Sequence, residues 1–198
     1  MKVLIDPGHG GPFTGACSGG VRECDVNLDV ALKLRFRLQE AGHTAWLTRD
    51  GDYALTESDK FSDISLRAQM AGDSGADLLL SLHCNAYDNP AVNGIEVWTT
   101  RGQNNSDTVA NHLIQEMASG LPNKKFRVDS SDGDPDREKN FNILAESPTR
   151  AVLVEMGFLT NAEEREWLVQ SRNQSHMAIV LAKGLNAWRR FSLESMNS

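Results

Sequence analysis

Aromatic residues make up only 7% of this chain, and cysteine occupies three of its 198 positions, Cys17, Cys24 and Cys84. Three thiols are an odd number and too few for the disulfide frameworks that hold small secreted domains together, and they fit a reducing compartment. Positive charge is also short: 20 Lys+Arg stand against 27 Asp+Glu, a net charge of −7 with neutral histidines. That balance argues against nucleic acid and against an anionic membrane surface as partners, since both draw on clustered Lys and Arg. No run approaches the roughly 20 apolar residues of a membrane-spanning helix, so stable membrane insertion is not expected. Only Val3-Leu4-Ile5 precede Asp6-Pro7-Gly8-His9 at the N-terminus, short of the apolar core of a signal peptide. The chain as written is therefore expected to start in the cytoplasm, or to have lost a leader.

What remains is an ordinary globular composition, 40% apolar and 24% charged. A chain of this length buries roughly 70% of its unfolded surface, enough for one sizeable core. Short apolar runs alternate with helix-length periodic segments, the pattern of an α/β domain. The expected architecture is a single domain with a mostly parallel, twisted sheet of about six strands flanked by helices on both faces. Strands are expected at Lys2–Ile5, His43–Thr48, Asp77–His83, Gly94–Thr99 and Ala151–Glu155. The leucine-dense run at 77–83 reads as a central strand. Helices are expected at Asp25–Ala41 with Gly42 as C-cap, at Asp63–Asp73, at Ser106–Met117, and from Ala162 to about Phe191 with a break near Ser171–Asn173. The Gly-rich stretch to Gly20 and the acidic stretch 121–140 read as loops, residues 1–191 as the one folded domain, and 192–198 as a frayed tail.

Three of these strands run into chemically capable residues: Ile5 into Asp6-Pro7-Gly8-His9, Leu82 into His83, and Val154 into Glu155. In an open α/β sheet the ligand crevice lies outside the carboxyl ends of the strands, so His9, His83 and Glu155 can meet there. Two neutral imidazoles and a carboxylate are a common catalytic zinc set with a fourth position left for water. Glu23 is the best candidate for the third ligand, because the loop after the first strand must return just before the helix near Asp25. Glu155 is then left as general base and acid. The spacing alone also allows each histidine to be an ordinary hydrogen-bonded residue, since no local His-Glu-x-x-His signature is present. Cys17, Cys24 and Cys84 read as small buried apolar residues, and His43, His112 and His176 as structural or surface groups. The acidic run 132–136 lacks the 12-residue ligand spacing of a calcium loop.

Taken in order, several motifs carry a family resemblance. They are Asp6-Pro7-Gly8-His9-Gly10-Gly11, Glu23, Thr48-Arg49-Asp50, Arg67, Ser81-Leu82-His83-Cys84-Asn85-Ala86, Gly94-Ile95-Glu96-Val97, and the run from Val152 to Asn161. Together they resemble the zinc-dependent N-acetylmuramoyl-L-alanine amidases of the type-3 amidase family. The resemblance implies one Zn²⁺ per chain on His9, Glu23 and His83, with Glu155 as the catalytic glutamate. It further implies a substrate contact at Asn85 and a structural ion pair at Arg67. Ala145 and Arg150 depart from the family, which commonly carries Arg and Pro there.

The implied reaction is hydrolysis of the amide between N-acetylmuramic acid and the L-alanine of the peptidoglycan stem peptide. Peptidoglycan is then the partner, and a monomer is the expected state. The missing export signal fits a phage-type endolysin held in the cytoplasm until it is released to the wall; a mother-cell lysis enzyme or an excised domain also fits. Two rival readings are a zinc peptidase cutting within the stem peptide and a non-catalytic wall-binding or regulatory domain of the same fold.

Overall fold

A computed structural model describes residues 1–197. Strand β1 (Lys2–Pro7) is followed by a two-strand hairpin, β2 (Cys17–Ser18) and β3 (Val21–Arg22), and by helix α1 (Glu23–Glu40). Then come β4 (Thr44–Leu47), α2 (Lys60–Asp73), β5 (Leu78–Asn85), β6 (Glu96–Thr99) and α3 (Asp107–Gly120). The chain ends with β7 (Arg137–Glu138), α4 (Asn142–Ala145), β8 (Arg150–Phe158), α5 (Ala162–Leu168) and α6 (Ser171–Asn197).

Six strands form one sheet in the order β4-β1-β5-β8-β6-β7, parallel throughout except that β6 runs antiparallel to β8. The chain leaves β1 for β4 on one side and returns to β5 on the other. The topological switch point therefore lies between β1 and β5, where an open α/β sheet opens its ligand crevice.

The sheet is covered on both faces because its strands are apolar on both. Val3, Ile5, Leu78, Leu80, Leu82, Val152 and Val154 face one cluster, built with Val30, Leu34 and Leu38 of α1, Leu113 of α3, and Leu181 and Leu185 of α6. Leu4, Leu79, Ala151 and Leu153 point the other way, against Ala68 and Ala71 of α2 and Ile143 and Leu144 of α4. Each fully buried leucine of this kind contributes about 1.5–3 kcal/mol. Alternation carries down the strands, so Asp6, Ser81, His83 and Glu155 emerge on the α2/α4 face at the carboxyl ends.

Several expectations need correction. Helix α1 starts at Glu23, two residues early, which places that carboxylate in the first turn where the helix dipole favours it. The Gly-rich loop runs into the β2/β3 hairpin, whose first strand lies within it and whose second follows Gly20, too short for any periodicity to announce it. The stretch 121–140 is not loop throughout: β7 extends the sheet edge beside β6. The break in the C-terminal helices falls at Val169–Gln170, before α6 begins at Ser171. Residues 192–197, expected as a frayed tail, extend α6 beyond the buried Trp188, and Ser198 lies outside the described residues.

Candidate active site and metal centre

β1 delivers His9 one peptide beyond Gly8, α1 delivers Glu23 in its first turn, and β5 delivers His83 near its end. The three converge: His9 Nε2 lies 3.3 Å from Glu23 Oε2, His83 Nδ1 lies 2.9 Å from Glu23 Oε1, and the imidazole centroids are 4.9 Å apart. One donor atom from each lies within 4.8 Å of the other two, a spacing that suits a single metal ion. Glu155 on β8 stands directly beside His83 in the register of the parallel β5/β8 pair. A bulge between His83 and Asn85 then shifts that register.

Backbone shape makes the convergence possible. A Cβ on Gly8 would fall 2.2 Å from the His83 ring, and one on Gly15 would fall 2.4 Å from Glu23 Oε2 and 2.7 Å from His9 Cδ2. Glycine is what lets the loop close over these side chains. His9 itself has φ 67°, in the left-handed region, a strain of about 1–3 kcal/mol that the surroundings must hold. They do so with buried cations. Arg67 donates to the His9 carbonyl, the Pro7 carbonyl and Asp6 Oδ1, each at 2.9 Å, and to Asp63 at 2.7 Å. Arg49 donates to the carbonyls of Pro7, Gly8, Gly51 and Cys24.

Burial alone would push the Glu23 carboxyl up, but hydrogen bonds and charge from His83 and His9 outweigh it and hold the group well below the usual carboxylate range. The backbone N–H groups of Ala16 and Cys84 also donate to it, at 2.8 and 3.1 Å. Burial pulls His9 down, which favours the neutral imidazole a metal requires, whereas His83 is held up by Glu23 against its own burial. Glu155 behaves differently. Desolvation, with Glu23 and Glu96 adding and His83 opposing, pushes it up to about 8, and its Oε2 is buried with no hydrogen-bond partner. The cleft in front of these groups holds about 400 Å³ and is walled by Phe13, Phe61, Ile64, Phe141 and Ile143, with Lys60 and Lys139 at its rim. A Lewis-acidic ion on the His/Glu set beside an unpartnered carboxylate is chemistry suited to activating water against a carbonyl.

The sequence-derived candidates His9, Glu23, His83 and Glu155 are thus together, and Arg67 is in a buried ion pair as expected. Asn85 is placed differently from a free substrate contact: its amide donates to Glu96 Oε2 at 2.9 Å, its Oδ1 accepts from the Ala86 N–H, and it does not line the cleft. Cys24 and Cys84 are buried and Cys17, expected to be buried, is exposed. His43 bonds Asn186 and His112 bonds the Thr108 carbonyl, while His176 is exposed. Sequence reasoning missed the platform beneath the site: Asp6 accepts from Thr48 and Ser81 at 2.7 Å each as well as from Arg67. Its signals were an Asp at the end of an otherwise apolar strand and the ion pair expected at Arg67, whose partner the sequence did not name.

Fold and cleft together define an α/β domain with a hydrolase-type centre at the switch point of its sheet. The Amidase_3 family, described as N-acetylmuramoyl-L-alanine amidase, matches residues 3–187, and the chain belongs to it. The amidase LytC of Bacillus subtilis is 31% identical over 95% of this chain, which spans only 35% of that protein's length. The germination-specific N-acetylmuramoyl-L-alanine amidase of the same organism is 28% identical over 92% of the chain and 77% of its own length. Among solved structures, the amidase AmiC2 of Nostoc punctiforme superposes with a TM-score of 0.84 at 30% identity, covering 96% of this chain and 97% of that one.

Proposed function

We propose that this chain is a peptidoglycan hydrolase that cleaves the amide between the lactyl group of N-acetylmuramic acid and the stem-peptide L-alanine, with one zinc held by His9, Glu23 and His83. The observation that carries the reading is the pairing of that donor set, closed to within 4.8 Å, with the unpartnered Glu155 Oε2 in the same cleft. Family membership supplies the bond that is cut. When bound, zinc supplies Lewis-acid polarisation of the scissile carbonyl and a water acidified to a pKa of about 7.

The chain's own groups do the rest. Glu155 takes a proton from the attacking water at its free oxygen, the water oxygen bonds the carbonyl carbon, and the same carboxyl returns the proton to the amine as the C–N bond breaks. Phe61, Phe141 and Ile143 give the substrate an apolar wall, and Arg67 holds His9 through its carbonyl.

Glu155→Ala is expected to keep its zinc and its fold while losing lysis of purified cell walls by about 10² or more, the scale of a general base. A variant that clears walls at the parent's rate removes Glu155 from the mechanism. Mass spectrometry of the digest locates the cut: peptides with a free L-alanine N-terminus and intact glycan strands identify an amidase, and internal stem-peptide cuts identify a peptidase.

A further inference from the structure

The acidic run that the amidase mechanism leaves unused is organised in space. Asp132, Asp134, Asp136 and Glu138 alternate along the chain, and Asp107 at the start of α3 joins them. The Thr99 hydroxyl donates to Asp136 Oδ2 at 2.6 Å, and Gln103 Nε2 lies 3.3 Å from Oδ2 of both Asp132 and Asp134. Asp107 Oδ2 accepts from the Asn104 N–H at 2.6 Å, and Glu138 Oε1 from the Gly102 N–H at 2.8 Å. Within the cluster Asp134 meets Asp136 and Asp132 meets Glu138, carboxyl against carboxyl. No salt bridge among the described residues reaches any of the five.

A second observation points to a ligand. Asp136 is 1% exposed and Asp107 5% exposed, yet Oδ1 of each is buried without a hydrogen-bond partner, as is Oδ1 of Asp134. Bare carboxylate oxygens are costly inside a protein, and clustering them multiplies the cost. Burial first, and the neighbouring carboxyls after it, push Asp107, Asp136 and Glu138 up. Only protons or a cation can relieve this arrangement.

The donors are all oxygen: carboxylates, the Thr99 hydroxyl and the amide oxygen that Gln103 presents by turning over. Such a set selects a hard cation with six to eight oxygen ligands, Ca²⁺ above all, over zinc, which favours the imidazoles of the other centre. We propose that Asp107, Asp134 and Asp136, with Asp132 and Glu138 around them, form a second metal site that takes Ca²⁺ and braces the wall of the cleft. No three of these carboxylates offer oxygens within 4.8 Å of one another among the described residues, so binding draws the 132–136 segment inward. The link to the cleft is short. The Lys139 N–H donates to the Thr99 carbonyl at 3.0 Å, and Lys139, Asn140, Phe141 and Asn142, which follow directly, line the cleft.

The test uses the zinc-loaded full chain in calcium-free buffer at neutral pH, titrated with CaCl₂ by calorimetry and followed by thermal unfolding. One Ca²⁺ per chain, a raised Tm and a lowered KM for wall fragments at unchanged bound zinc are expected. Asp134→Asn should weaken Ca²⁺ binding at least tenfold, and the more exposed Asp132→Asn, with little folding risk, should weaken it to a lesser degree. The proposal is overturned if millimolar Ca²⁺ gives neither heat nor a Tm change, or if Asp134→Asn raises the Tm equally with and without Ca²⁺, for then protons hold the cluster. Binding and Tm do not depend on turnover, so this outcome is separate from failure of the amidase assignment.

Discussion

Glu155 has two requirements in tension: a base must be ionised, yet burial among Glu23 and Glu96 pushes it up to about 8. A divalent cation on the neighbouring His9, Glu23 and His83 adds local positive charge that pulls it back toward the carboxylate. At this scale the tight positions are those where an atom is missing. Gly15→Ala puts a methyl 2.4 Å from Glu23 Oε2 at a φ of +71°. We expect it to lower stability by about 1–3 kcal/mol and to lower bound zinc by metal analysis. His9→Ala and His83→Ala are expected to lose zinc as well, and unchanged stoichiometry in either removes that residue as a ligand. The chemical types of these residues were readable in the chain, because a histidine in a glycine run, another after four leucines in six residues and a glutamate all stand at strand ends, although the spacing alone also allowed ordinary hydrogen-bonded histidines. The fate of Asn85 was not, since its amide is claimed by Glu96, eleven positions on and across β8 in the sheet.

Among elements, the buried Asp6 network ties the end of β1 to β4 through Thr48, to β5 through Ser81 and to α2 through Arg67. Arg67 and Asp6 are each 2% exposed in their side chains, so removing one partner strands a buried charge. Arg67→Met is expected to destabilise by about 3–5 kcal/mol in urea unfolding. Burial tends to raise the Asp6 carboxyl, but Arg67, Thr48 and Ser81 together hold it below its ordinary range. A depressed folded value means the contribution is complete above the unfolded pKa of about 3.9 and is lost as pH falls through the folded one. Asp6→Asn should therefore lower the urea midpoint clearly at pH 7, with the deficit shrinking as pH falls below about 3.9; a deficit that stays constant on acidification contradicts the linkage. The five strands and the four principal helices were legible from short apolar runs and from segment length and caps, the length and cap deciding α1, whose run Val26 to Leu38 also alternates like a strand. The hairpin β2/β3, strand β7 and helix α4 were not, because elements of two to four residues carry no period.

For the molecule as a whole, the net charge of −7 meets a wall that is itself often anionic. Bulk attraction cannot bring enzyme and substrate together, so we expect lysis to improve from low to moderate salt as the repulsion is screened. A steep loss over that range, followed by turbidity clearing of purified walls, contradicts it. No helix among the described residues is long and apolar enough to cross a membrane. The cleft carries Lys60 and Lys139 at its rim, two cations on a chain of net charge −7.

The sequence by itself determined the α/β class, the run of strands ending in His9, His83 and Glu155, and the family, because strand hydrophobicity and motif order are local properties of the chain. Tertiary structure alone decided that β1 and β5 are neighbours at the switch point, that Glu23 lies 2.9 Å from His83, and that Asp107 joins the acidic run 25 and more residues away. These are long-range pairings set by strand order and core packing, and no window of sequence contains both partners.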